Sequence, residues 1–93
     1  MEIKKQYVTF KMDFDEGIVS NVSVADSREQ AVENIRKAVE KDIATEFADY
    51  DEVDEDWKDS LLSQVNRMAE NYTNMVNDSI NNVAYYMRVA DND

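Results

Sequence analysis

The chain has 93 residues, of which 43% are hydrophobic, and its formal net charge is −11. This length predicts one domain over residues 1–93, too small to surround a deep substrate cavity, and the hydrophobic content separates it from disordered acidic tails. The chain lacks Cys, His and Pro and has one glycine, which excludes thiolate and imidazole zinc sites, Cys and Ser–His nucleophiles, disulfides and glycine-rich phosphate loops. We therefore expect no cofactor.

Membrane insertion and secretion are not indicated by the sequence. No apolar run approaches the roughly 20 residues that cross a bilayer. The first ten residues, MEIKKQYVTF, also lack the apolar stretch of a signal peptide. We therefore expect a cytoplasmic protein with no membrane partner.

The N-terminal quarter predicts a β-hairpin. Residues 7–14 alternate, so that Val8, Phe10, Met12 and Phe14 share one face, and residues 18–25 form a second run rich in β-branched side chains. The connection between the two runs ends at Gly17, and glycine takes a positive φ without steric cost. Two such runs joined by a short loop predict a hairpin with a bulged turn.

Two helices are predicted next. Ser27 begins the sequence S-R-E-Q, a capping box in which Ser27 accepts from the backbone of Gln30 and the Gln30 side chain reaches back. Apolar residues then recur at helical spacing, so the first helix is predicted to run to about Ala48. Asp54 or Asp56 can cap a second helix. Its apolar positions continue at helical spacing through residues 61–80, for about six turns.

The last segment, NNVAYYMRVADND, is compatible with two structures. Alternation over residues 83–89 predicts a third strand, which would give the sheet enough width to receive two helices, and Asn81-Asn82 is a plausible helix stop. The predicted fold is therefore an α+β domain of order ββααβ, with an antiparallel sheet covered on one face by two helices. The alternative is a hairpin followed by two helices, the second of them long.

The charge is concentrated in residues 40–59, where ten carboxylates stand against two lysines. Aromatic side chains are interleaved with them, as is typical of binding surfaces. The alternatives are a solvated helix end for the segment and a core anchor for Trp57. The residues predicted to bind a partner are Glu46, Asp49, Tyr50, Asp51, Glu52, Asp54, Glu55, Asp56, Trp57 and Asp59.

Three other uses of the acidic segment are disfavoured. Aligned with a calcium-binding EF-hand loop from Asp49, the chain has Asp54 where glycine is needed and Ser60 where a bidentate Glu belongs, so we expect no metal site. Two carboxylates can act as acid and base, but nothing singles out one pair, and we expect no enzyme activity. Direct nucleic-acid binding is disfavoured because phosphates repel a strongly acidic chain.

The remaining hypothesis is a positively charged partner, and the nucleic-acid grooves of nucleases and other defence effectors are abundant surfaces of that kind. Carboxylates in an array can occupy such a groove as a phosphate mimic. In size, acidity and lack of a catalytic set, the chain resembles the small phage-encoded inhibitors of bacterial defence, among them acidic anti-CRISPR proteins and DNA mimics. The resemblance is one of character and involves no shared motif. It implies an inhibitor acting in the host cytoplasm.

A second hypothesis is a self-associating structural or adaptor protein whose acidity serves only solubility. Residues 61–80 carry Leu62, Met68, Tyr72 and Met75 at helical spacing, and Met-rich stripes suit adaptable interfaces as well as cores. Paired helices would form a two-fold homodimer, which is compatible with either function.

Overall fold

The computed structural model describes residues 4–50, 52 and 54–92. Two strands, two helices and two further strands follow in order: β1 Lys4–Asp13, β2 Ile18–Ala25, α1 Arg28–Asp49, α2 Glu55–Ala69, β3 Met75–Asp78 and β4 Val83–Asn92. The strands form one antiparallel sheet in the order β2-β1-β4-β3. The predicted α+β class and final strand are confirmed. The element order is ββααββ, because β3 adds a strand to the predicted ββααβ.

The N-terminal hairpin is confirmed. Asp13 pairs with Ile18, and Gly17 closes the turn at φ 66°. The Asp13 carboxylate accepts hydrogen bonds from the backbone N–H groups of Asp15 and Glu16, at 3.0 and 3.2 Å, which fixes the start of the turn. The pairing register shifts between Thr9 and Lys11, where Asn21 on β2 takes φ 54°. This irregularity is a β-bulge with its extra residue in the left-handed region.

Helix α1 begins and ends close to the predicted positions. The Ser27 hydroxyl accepts from the backbone N–H of Gln30 at 3.1 Å. The predicted return bond of the capping box is wrong, because the Gln30 amide donates instead to the Asn34 side chain at 3.0 Å. At the other end the Tyr50 N–H donates to the Glu46 carbonyl at 3.0 Å, and Tyr50 leaves the helix with extended backbone.

Helix α2 ends about three turns earlier than its apolar spacing predicts. It begins after Asp54, as expected, but the predicted continuation to Ile80 is wrong. The helix stops in a Schellman motif, in which the N–H of Tyr72 donates to the Arg67 carbonyl at 2.9 Å and the N–H of Asn71 to the Met68 carbonyl at 3.0 Å. Asn71 takes φ 68°, the left-handed position that we assigned to Asn81-Asn82.

A long-range contact fixes this early stop. The Arg28 guanidinium, at the start of α1, donates to the Met68 and Thr73 carbonyls and to the Asn74 side chain, at 2.5, 3.2 and 3.1 Å. The chain is thereby held in a turn, and the residues that follow it pair with β4 as β3. Residues 79–82, including Asn81-Asn82, form the β3–β4 turn, with Asn82 at φ 54°.

Both helices pack against the same face of the sheet. One cluster of buried side chains joins α1, α2 and that face, and it includes Ile35, Val39, Trp57, Leu61, Val65, Met68, Val76, Tyr85 and Met87. Alternation along the strands places Val8, Phe10, Met12, Val24, Met75 and Tyr86 on the opposite face, which we call the open face. Neither described helix has the length and apolar content to cross a membrane.

Candidate partner-binding surface

The end of α1, the connection after it and the start of α2 form one strongly negative region, which we call the acidic end. Its predicted carboxylates are exposed except for Glu46, which is half-buried. Asp51 was also predicted to belong here, but it lies outside the described residues. The carboxylates of the acidic end are those of Glu46, Asp49, Glu52, Asp54, Glu55, Asp56 and Asp59.

The fold adds carboxylates from outside the segment and one, Asp42, from within it that was not among the predicted binding residues. Asp13 on β1 and Asp42 on α1 line a cleft of about 260 Å³ together with Glu46. Asp15 in the β1–β2 turn accepts a hydrogen bond from the Asn82 amide at 2.8 Å, which holds that turn against the β3–β4 turn. Asp13 and Asp15 are distant from the acidic segment in sequence, so only the sheet register and the packing of α1 bring them to the same end.

The floor of this cleft is a hydrogen-bonded group that joins α1 to the sheet. Asp42 accepts from the Lys11 ammonium at 2.8 Å and from the Tyr85 hydroxyl. Burial, followed by the hydrogen bond and the charge of Asp42 and by the charge of Asp78, raises the pKa of Tyr85 well above its ordinary value. Tyr85 therefore remains a neutral donor at physiological pH, and the group anchors the helix under the acidic end.

The two aromatic residues predicted to bind a partner have different positions. Trp57 is 8% exposed and belongs to the core, which supports the core-anchor interpretation that the sequence left open. Tyr50 is 60% exposed. It borders a second cleft of about 270 Å³, which it shares with Glu46, Glu52 and Asp54. Of these two, Tyr50 is therefore the side chain that a partner can reach.

Helix dipoles divide the carboxylates into two groups. Asp54 caps α2 by accepting from the Asp56 N–H at 2.9 Å, and Glu55 and Asp56 lie at the positive end of that helix, where negative charge is stabilising. Glu46 and Asp49 occupy the last turn of α1, which has no basic residue. Because that end of the helix is negative, these two carboxylates oppose the dipole.

Few carboxylates of the acidic end are neutralised by a neighbour. Within residues 4–50, 52 and 54–92, the ion pairs of this region are Asp42 with Lys11, at 2.8 Å, and Glu55 with Lys58, at 3.7 Å. Lys58 also lies 5.7 Å from the centre of the Phe47 ring. The field of the remaining carboxylates therefore extends into solvent and is available to attract a positively charged surface.

In the part of the chain that the structure describes, no group of three or more acidic side chains is arranged to hold a metal ion. Comparisons with protein-family models, with curated proteins and with solved structures give no significant match to this chain. Function is therefore inferred from the charge and geometry of the acidic end.

Proposed function

We propose that this protein is a non-enzymatic inhibitor that places its acidic end on the basic nucleic-acid-binding surface of a partner protein. The partner class is a nuclease or another defence effector, and the site of action is the cytoplasm, that of the host if the protein is phage-encoded. No cofactor takes part. The observation that carries the proposal is the placement of Glu46 and Asp49 at the negative end of α1. These charges reduce stability there, so stability does not account for them.

The arrangement suits a phosphate mimic. Exposed carboxylates without counterions accelerate encounter with a basic groove, and they exclude nucleic acid from the same groove by occupying its cationic side chains. Tyr50 supplies an exposed aromatic surface among these charges, and a buried aromatic contact slows dissociation. Attraction of this origin weakens as salt screens the charges.

The first test is capture from a bacterial lysate by the immobilised protein at low salt, with elution by a salt gradient. The proposal predicts retention of a nucleic-acid-binding protein that elutes with salt and is also displaced by added duplex DNA or RNA, because the nucleic acid competes for the same surface. A retained protein that nucleic acid does not displace would contradict the mimic mechanism.

The second part of the test measures inhibition. The captured partner is mixed with a fluorescently labelled nucleic acid that it binds, and the protein is titrated into that complex. Release of the labelled nucleic acid at increasing protein concentration is the expected result. Formation of a ternary complex that retains the label would show that the acidic end binds elsewhere on the partner.

A further inference from the structure

The open face of the sheet is an apolar surface that no described element covers. Val24 on β2 and Met75 on β3 are 58% and 39% exposed, and Val19 and Val22 on β2 are 48% and 61% exposed. In the middle of the face the rings of Phe10 and Tyr86 stack, with centroids 5.3 Å apart. Exposed apolar patches of this extent on a small protein mark interaction sites.

The charge on the open face differs from that of the rest of the molecule. The chain has 21 acidic residues, yet none of the described side chains on this face is acidic. Its one described charge is Arg88, whose guanidinium lies 5.5 Å from the centre of the Tyr86 ring. If the open face were exposed to solvent, solubility would favour charged side chains on it. The near absence of charge therefore indicates that this face is covered.

We propose that the open face is covered by the same face of a second copy of this chain, which gives a two-fold dimer with two sheets inside and four helices outside. Two copies that meet in this way keep all carboxylates of both acidic ends away from the interface. A strongly basic partner gains nothing from a surface whose one described charge is Arg88, whereas two apolar faces of identical shape can interdigitate as in a β-sandwich.

The size of the face is sufficient for a dimer. β2 has eight residues and β3 has four, and β1 and β4 are longer. With strands about 4.8 Å apart and about 3.3 Å per residue, the face covers roughly 510 Å² per copy. Side chains that stand up from the sheet increase the accessible area, so that two copies bury roughly 1,000 Å², the lower limit of a specific interface.

Pairing through the sheet edges is the less favourable route to a dimer. The bulge at Asn21 interrupts β2, and β3 is short, and both features protect sheet edges from additional strands. The broad open face therefore remains the surface on which a second copy can bind.

The test is the molar mass of the whole chain, measured by light scattering and by sedimentation equilibrium over a range of concentrations and salt. The expected result is a dimer of twice 10.8 kDa, maintained or strengthened in high salt, because the interface is apolar while the net charges of the copies repel. A monomer at every concentration and salt would overturn the proposal, whatever other protein binds this face.

Variants locate the interface. Replacing Val22 and Val24 together by Lys is expected to raise the dimer dissociation constant at least about tenfold, because two cations would be buried, although the substitutions lower the overall repulsion. The matched control is Ile80→Lys, an apolar residue 65% exposed in the β3–β4 turn, and this variant is expected to remain dimeric. If replacing Val22 and Val24 by Lys leaves the dimer dissociation constant unchanged, the interface does not lie on the open face.

Both variants are checked for folding by circular dichroism before their mass is interpreted. If the β2 variant does not fold, Met75→Lys decides instead, because Met75 lies at the opposite edge of the same face and is partly exposed. Loss of the dimer in a folded Met75→Lys protein supports the proposal, and an unchanged dimer overturns it.

Discussion

The acidic end and the open face are two surfaces of one small domain with opposite chemistry. The acidic end combines carboxylates from α1, α2 and the β1–β2 turn, and few of them have a neighbouring cation. The open face is one side of the four-stranded sheet, and none of its described side chains is acidic. The acidic side chains are therefore concentrated at one end of the fold and absent from the described part of the open face. Solubility alone would not require this separation.

The comparison also shows which features are structural. Under the acidic end, Trp57 and the Asp42–Tyr85–Lys11 group connect both helices to the sheet. The surface carboxylates stand above this support and contribute little to it. Substitutions can therefore separate the two roles, with large effects on stability from the supporting residues and small ones from the surface charges.

The largest stability effect is expected from Trp57→Ala. Because the indole is buried in the core, its removal leaves a cavity and should lower the free energy of unfolding by about 3–5 kcal/mol, measured by urea denaturation. The matched control is Tyr50→Ala, at an exposed aromatic residue of the same segment, which should change the free energy of unfolding by less than about 0.5 kcal/mol. Equal effects of the two substitutions would contradict the core-anchor role of Trp57.

A smaller loss is expected from Asp42→Asn. The substitution removes the charge that accepts from both Lys11 and Tyr85 and should lower the free energy of unfolding by about 1–2 kcal/mol. Asp59→Asn provides the control, since Asp59 is exposed on α2 and makes no described hydrogen bond or ion pair. If both variants have the same stability, the Asp42 group does not anchor the helix.

Alkaline pH should weaken the same group. The raised pKa of Tyr85 in the folded protein means that the unfolded chain loses this proton first, near pH 10. The contribution of Tyr85 to stability is therefore complete below about pH 10 and decreases as the pH rises further. The comparison is with Tyr85→Phe, whose stability should depend less steeply on pH. If the stability of the wild-type protein and of Tyr85→Phe depends on pH in the same way, Tyr85 does not contribute to stability as proposed.

The smallest effects distinguish the two helix ends. Neutralising Asp49 by Asn, at the negative end of α1, should raise the free energy of unfolding by up to about 0.5 kcal/mol, whereas Asp56→Asn, at the positive end of α2, should lower it by a similar amount. Thermal denaturation at low salt measures both changes. Changes of the same sign would show that the dipoles do not divide the acidic end as described.

Local signals in the sequence were sufficient for most elements of the fold. The Ser27 and Asp54 caps mark the helix starts, and Gly17 marks the hairpin. Each of these depends on residues a few positions apart. The alternation of residues 83–89 likewise predicted β4, which pairs along its whole length with β1.

The end of α2 and the presence of β3 could not be predicted in this way. Apolar residues after Asn71 continue the helical spacing, although the helix stops at the left-handed turn of Asn71. That turn is held by a contact from Arg28, about forty residues earlier. The same limit applies to the candidate site. The sequence located the acidic segment, but Asp13 on β1 joins Asp42 and Glu46 through the packing of α1 on the sheet, which no local pattern reports.

We propose that the position of the carboxylates, and not the total charge of the chain, makes the acidic end a binding surface. Two variants with the same change in net charge test it. One neutralises four residues of the acidic end: Glu46→Gln, Asp49→Asn, Glu52→Gln and Asp59→Asn. The other neutralises four carboxylates near the start of α1 and the end of α2, at the far end of the domain: Asp26→Asn, Glu29→Gln, Glu33→Gln and Glu70→Gln.

The measurement is the affinity of each variant for the captured partner at one low salt concentration, with folding confirmed by circular dichroism. We predict that the acidic-end variant loses binding by at least about tenfold, while the far-end variant retains most of it. Equal losses in the two variants would contradict the claim, since they would show that net charge alone attracts the partner.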